Sequence, residues 1–72
     1  MSTEADLTGQ LADEIQTHYR CYLRAMRAVE AGYESQRRIA RHMLDKIDTV
    51  LELLDDIGYG WTPEQGVHKL EA

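Results

Sequence analysis

The stretch VEAGYESQ, residues Val29 to Gln36, stands near the middle of the chain and decides whether it forms one helix or two. Apolar residues recur every three or four positions on both sides of it, a spacing typical of helices. Gly32 suits the position just after a helix and Ser35 suits an N-cap, so a short helix–helix connection is expected. The heptad count also continues through the stretch, broken only at Gln36, which keeps one uninterrupted helix as the alternative.

The charge pattern favours a turn at Gly32. Residues 1–17 carry a net charge of −4, residues 18–46 of +4 and residues 47–72 of −5. Two copies that each form one uninterrupted helix would place segments of like charge side by side, whether the helices pack parallel or antiparallel. A chain folded at Gly32 instead collects arginines at one end and acids at the other, so two copies packed end for end bring opposite charges together. Exposed pairs add only ~0–1 kcal/mol each, but the pattern selects an orientation.

The charges at the ends of the second helix oppose the turn. A helix that starts at Ser35 has Arg37 and Arg38 at its positive end and Asp55 and Asp56 at its negative end. Each of these groups is unfavourable by ~0.3–1 kcal/mol at low salt. If the turn is correct, we expect the charges of a partner to compensate.

The sequence therefore predicts an all-α fold. We expect an antiparallel helical hairpin with helices at about 4–31 and 36–57, followed by a short C-terminal helix at about 63–70. The apolar spacing shows no two-residue alternation, so no strand is predicted. The chain is expected to form a single helical-hairpin domain (1–72), with a C-terminal tail (58–72) packed on the open end of the hairpin.

The tail contains its own helix signals. Gly58 is a natural stop for the second helix. Thr62 followed by Pro63 is typical of an N-cap and a first helical position, and Gln65 completes a capping box with Thr62. We also expect Trp61 to anchor the tail against Leu7 and Leu11.

The small size of the chain predicts self-association. A chain this short buries only ~60% of the surface that it exposes when unfolded, and its single cysteine excludes an internal disulfide. Two amphipathic helices cannot enclose a core alone, whereas two hairpins can form a homodimeric four-helix bundle with coiled-coil packing. In outline this plan resembles the ROP-type bundles, without a shared motif. The predicted dimer interface is Ile15, Tyr19, Tyr22, Met26, Met43, Ile47, Val50 and Leu54.

Several classes of function are not expected. Glu14, His18 and Cys21 share one helix face and could ligate zinc together with His42, but a surface Glu–His pair above a buried thiol is the preferred interpretation. No phosphate-binding loop or nucleophile with a base is apparent. We predict no enzyme, no cofactor and no metal. The segment MSTEADLTGQ lacks the features of a signal peptide and no apolar run could span a bilayer, so a cytoplasmic protein without membrane contact is expected.

The basic segment SQRRIARH points to binding. We predict a non-enzymatic protein–protein interaction module that acts as a homodimer on an unidentified protein partner, as an adaptor, inhibitor or other regulatory or accessory protein. The alternative is a small ROP-like regulator that binds RNA or DNA through the same arginines, although the net charge of −5 opposes general nucleic-acid affinity. The predicted partner-binding residues are Arg24, Arg27, Tyr33, Arg37, Arg38, Arg41, Tyr59 and Trp61.

Overall fold

The computed structural model describes residues 3–71, with side chains from residue 6 onward. The predicted domain and tail extend beyond these bounds by residues 1, 2 and 72, which lie outside the described residues. The elements are α1 (Thr3–Glu30), α2 (Gln36–Asp56), β1 (Tyr59–Thr62) and β2 (Gly66–Lys69). The two helices form an elongated hairpin, and the whole measures 47 × 22 × 17 Å. The end that holds residues 31–35 is termed the turn end, and the opposite end the open end.

The predicted turn at Gly32 is confirmed. Gly32 has φ of +105°, a left-handed conformation that glycine adopts without steric cost. The Tyr33 N–H donates to the carbonyl of Ala28 (2.9 Å) and the Gly32 N–H donates to that of Val29 (3.0 Å). These two hydrogen bonds form a Schellman motif, which satisfies the last carbonyls of α1. Ser35 is the N-cap of α2, but its side chain makes no capping hydrogen bond.

The core lies between the two helices. In the open half it is built from larger side chains, and Ile15 and Leu54 have no exposed area. Its buried members there are Leu11, Ile15, Ile47, Val50 and Leu54. Toward the turn end the buried residues are the smaller Ala25, Val29 and Ala40. A single chain therefore buries apolar side chains in both halves of the hairpin, and they form a core cluster in the open half.

The predicted C-terminal helix is wrong, because residues 59–69 form an antiparallel β-hairpin. Trp61 pairs with Val67 and Tyr59 pairs with Lys69. Tyr59, Trp61 and Val67 alternate with smaller or polar residues, which places all three on the side that packs against the core. This two-residue alternation spans only four residues in each strand and was missed in the sequence.

The signals at Thr62 to Gly66 produce a tight turn instead of a helix. The Gln65 N–H donates to Thr62 Oγ1 over 3.1 Å, which is the capping hydrogen bond that the sequence suggested. Gly66, with φ of +70°, then stops the helical turn and returns the chain. Pro63 early in the loop and a left-handed glycine after it are typical of three-residue hairpin loops. The Leu70 N–H closes the base of the hairpin on the carbonyl of Gly58 (2.9 Å).

The β-hairpin covers one broad face of the helical hairpin, in its open half. β1 packs mainly against α2, and β2 contacts α1. Tyr19 of α1 contacts Trp61 of β1, and Leu51 of α2 packs against the same core cluster as the hairpin's Tyr59, Trp61 and Val67. We term this side the sheet face and the opposite side the bare face. Trp61 packs against the core cluster that includes Leu11, and its ring contacts Tyr19. The predicted anchoring on Leu7 is not seen, since Leu7 lies outside this cluster and is 42% exposed.

Candidate protein-interaction surface

Five predicted binding arginines lie at the turn end. Arg24 and Arg27 are on the last turns of α1 and share a shallow groove with Arg20 and Leu23. On the other helix, a second groove is lined by Glu34, Ser35, Arg37, Arg38 and Arg41. All five arginines are exposed. The turn therefore brings together two basic segments that are ten or more residues apart in sequence.

Most of this positive charge is not neutralised within the chain. Arg37 Nε donates to Glu34 Oε2 over 3.1 Å, and both side chains remain about two-thirds exposed. This is the only ion pair among residues 6–71. The first turn of α2 contains no acidic residue and its last turn contains no basic residue. The positive end of the helix dipole thus adds to the arginines at the turn end, and the negative end adds to the acids at the open end.

An apolar patch lies beside the arginines on the sheet face. Leu23 is four residues after Tyr19, and Leu44 is seven residues before Leu51, so both continue the face that the β-hairpin covers. Leu44 is 43% exposed and Leu23 is 39% exposed, because the β-hairpin does not reach this far. Met26, between them, is partly buried. We term Leu23, Met26 and Leu44 the turn-end patch.

The predicted aromatic binding residues occupy different environments. Tyr33 is in the turn and is 66% exposed, next to the arginines. Tyr59 and Trp61 pack against the core and are half-buried near the open end. The ring of Trp61 contacts Tyr19, and Tyr19 stacks on Tyr22. The structure therefore places Tyr33 in the arginine surface and uses Tyr59 and Trp61 to hold the β-hairpin.

The predicted dimer-interface residues are largely internal. Ile15, Ile47, Val50 and Leu54 are buried within one chain, so their side chains have almost no surface to offer a second copy. The other four predicted residues are partly buried. They are Tyr19, Tyr22, Met26 and Met43. The structure assigns the first four to the intrachain core, because the same heptad stripe that would join two copies joins α1 to α2.

The bare face carries exposed apolar residues that sequence reasoning missed. Ile39 is 44% exposed and Leu53 is 47% exposed. Between the helices on this side runs a groove lined by Glu14, His18, Lys46, Thr49, Val50 and Leu53. The lining residues show which positions of the two helices lie at the same level along the hairpin axis, a level that we term height. A residue of α1 and a residue of α2 lie at the same height when their numbers add to about 67. In the sequence, these exposed residues form a second apolar stripe along α2, beside the stripe that supplies the core.

The candidate zinc ligands do not form a site in a single chain. Glu14 and His18 line the groove of the bare face, Cys21 is a partly buried free thiol, and His42 is exposed. Within the part of the chain that the structure describes, no three His, Cys, Asp or Glu residues are close enough to hold a metal ion.

The fold defines a small helical hairpin that carries a β-hairpin on one face. Neither described helix combines the length and apolar character needed to cross a membrane. The chain matches no protein-family model, and comparisons with curated proteins and with solved structures also find no match.

Proposed function

We propose that this chain is a non-enzymatic protein–protein interaction module, a small regulatory, inhibitory or accessory protein that acts as a homodimer. Its partner presents an acidic surface around an apolar ridge. The observation that carries the proposal is the surface at the turn end, where five arginines and Tyr33 border the turn-end patch. Tyrosine and arginine are enriched at binding hot spots, and clustered exposed apolar residues mark interaction sites.

The unpaired charges support a partner of opposite sign. Arg24, Arg27, Arg38 and Arg41 make no ion pair with the described residues, and α2 begins with arginines where its dipole favours acids. These charges lower the stability of the isolated chain. An acidic partner surface that binds at the turn end would remove the repulsion among these arginines and would steer the association of the two proteins.

The homodimer is supported by the same segregation of charge. A second copy packed end for end brings the acidic open end of one hairpin to the arginines of the other. A four-helix arrangement also covers apolar side chains that the single hairpin leaves exposed on its bare face, such as Ile39 and Leu53.

Charge reversal at the turn end tests the proposed function. Immobilised wild-type protein should retain a stoichiometric partner from an extract of its own host, and Arg41→Glu should lose it. Lys69→Glu is the matched control, because it changes the net charge equally from an exposed position in β2 and should retain the partner. Equal retention by both variants, or no stoichiometric partner, contradicts the proposal.

A nucleic-acid regulator is the second candidate, because the five arginines also suit phosphate groups. Titration with labelled duplex DNA, single-stranded DNA and RNA at several salt concentrations separates the two. A nucleic-acid function requires an affinity that falls steeply and linearly with salt on logarithmic axes. Absence of binding at low ionic strength would eliminate this candidate. The protein-partner proposal predicts that absence, since Tyr33 is the one exposed aromatic ring beside the arginines for bases to stack on.

A further inference from the structure

No element formed by residues 3–71 covers the bare face, and we infer that a second copy of this chain occupies it, antiparallel and centred on Cys21 and Lys46. The inference rests on the homodimer of the proposed function and deepens it, because it names the docking face and the register.

The bare face of α2 has a heptad stripe that shares only the buried Val50 with the core. Ile39, Met43, Lys46, Val50 and Leu53 follow one another at steps of four, three, four and three residues. The residues at its two ends, Ile39 and Leu53, are large, apolar and nearly half exposed. This spacing keeps the side chains on one seam that can pack into a facing helix.

The facing side of α1 lets a second copy approach closely. Cys21, Ala25 and Ala28 continue the spacing of Glu14 and His18, and all three are small. In the antiparallel pair described below, α1 faces α1 of the second copy, and the small side chains on both sides let these two helices approach closely. The larger side chains of the two α2 helices face one another in the same self-complementary, two-fold interface.

The symmetry of the stripe sets the register. Ile39 and Leu53 each lie seven residues from Lys46. In an end-for-end pair, α2 packs antiparallel to α2 of the second copy, so a two-fold axis at Lys46 places Ile39 opposite Leu53 of the second copy. Cys21 lies at the height of Lys46, since these numbers add to 67, and the axis therefore also passes between the two Cys21 residues.

The same register brings opposite charges together along the rim. Arg38 comes within two residues of the height of Asp56 in the second copy. On the other helix, Arg27 comes within two residues of the height of Asp13 in the second copy. A parallel pair would instead set one arginine end beside the other, which is repulsive. Charge complementarity therefore selects the antiparallel orientation.

Lys46 is the one charged member of the stripe. The two-fold axis sets Lys46 beside Lys46 of the second copy, and a charged residue in an otherwise apolar seam specifies register and oligomeric state at a cost in stability. Its aliphatic stem covers apolar surface while its ammonium extends to the rim. In this register the carboxylate of Asp45 in the second copy is within one residue of its height.

Sedimentation equilibrium of two matched variants tests the docking face. Leu53→Asp should raise the dimer dissociation constant at least about 30-fold, because it would bury an unpaired carboxylate at a large apolar position of the interface in both copies. Leu44→Asp is the control, because Leu44 has a similar exposure (43% against 47%) on the sheet face and should change the constant by less than about 3-fold. Circular dichroism verifies that both variants keep their helices.

Cross-linking tests the register. In a Cys21→Ala background, Ile39→Cys and Leu53→Cys variants are mixed and treated with a short bis-maleimide, to which each thiol adds without oxidation. The product that joins position 39 of one copy to position 53 of the other should predominate. The same position in the two copies, 39 with 39 or 53 with 53, is separated by about 21 Å in this register. Predominance of either homotypic product would overturn the register.

The outcomes separate this inference from the proposed function. A dimer that Leu53→Asp leaves intact would overturn the docking face and leave the proposed homodimer standing. A wild-type chain that stays monomeric at high concentration would overturn both the docking face and the homodimer. Partner capture is measured separately, with the Arg41→Glu variant.

Discussion

The ring of Trp61 meets the ring of Tyr19 edge-on, with 5.3 Å between centroids and 68° between planes. Tyr19 in turn stacks on Tyr22, with 6.3 Å between centroids and 24° between planes. An isolated two-stranded hairpin is only marginally stable in water. The β-hairpin therefore depends on this row of rings, and on Val67 beside it, to stay on the helices.

Removal of the Tyr19 ring should loosen the β-hairpin. We expect Tyr19→Ala to lower the free energy of unfolding by about 2–3 kcal/mol, less than for a fully buried ring because Tyr19 is half-buried. The emission of Trp61 should shift to longer wavelength at the same time. Tyr33→Ala is the control, and since its ring is exposed it should change stability by less than about 0.5 kcal/mol. Wild-type emission already typical of water-exposed tryptophan would contradict the packing.

Two glycines should respond to alanine with opposite signs. Gly32→Ala should lower the free energy of unfolding by about 1–2 kcal/mol, because alanine is strained at φ of +105°. Gly9→Ala should raise it by about 0.5–1 kcal/mol, because Gly9 is inside α1 and an added Cβ meets no atom within 4 Å. Urea denaturation followed by circular dichroism measures both values. A stabilising Gly32→Ala would mean that α1 continues through the turn.

Two adjacent leucines in α2 should differ strongly in how much each contributes to folding stability. Leu54→Ala should cost about 2–5 kcal/mol of folding stability, because Leu54 is fully buried in the core. Leu53→Ala removes the same atoms from an exposed position and should cost less than about 1 kcal/mol in dilute protein. Equal losses in chemical denaturation would show that the bare face is already covered in the single chain.

Reversal of a charge at the end of α2 should stabilise the isolated chain. Asp55→Lys should raise the free energy of unfolding by about 0.3–1 kcal/mol at low salt, since a cation suits the helix C-terminus. The gain should fade at high salt. Asp13→Lys, inside α1, changes the net charge equally and should alter stability by less than about 0.5 kcal/mol. Measurement in a Leu53→Asp background keeps the proposed second copy out of the comparison.

The helical hairpin was predictable because its signals agree. Gly32 ends α1 and lies between two apolar stripes, and the segregated charges favoured a turn at the same residue. The helix bounds differ from the predicted ones by one residue at three ends and agree at the start of α2. The missing side-chain hydrogen bond at Ser35 had no effect on the turn, because Gly32 and backbone hydrogen bonds suffice to form it.

The β-hairpin was not predicted because the residues in and beside its loop are compatible with two structures. Thr62, Pro63 and Gln65 start a helix or a tight turn equally well, and the difference comes three residues after Pro63, at Gly66. Eight residues are also too few for a helix to be stable without strong packing. Tyr59 and Trp61 supply that packing as strand residues, because alternation places both rings on the core.

The exposed residues of the bare face were missed for a geometric reason. The apolar stripe of α2 is wide enough to contact more than one neighbouring helix. Its width does not reveal which edge packs against α1 of the same chain and which edge stays exposed. The structure shows that α1 takes the edge with Ile47 and Leu54 and leaves the edge with Ile39 and Leu53. The five arginines were identified correctly as exposed, because a charge run beside a turn remains in solvent in either arrangement.

The β-hairpin makes the two broad sides of the molecule inequivalent, and this asymmetry has a consequence for valency. If two copies join through their bare faces, the sheet faces and both turn-end patches stay free on opposite broad sides of the assembly, because Leu23 and Leu44 are each only two residues from the axis at Cys21 and Lys46. Such a pair is bivalent and can bridge two partner molecules or bind one that repeats its acidic surface. Simultaneous binding on both sides would strengthen retention without any new contact, by raising the effective concentration of the second site.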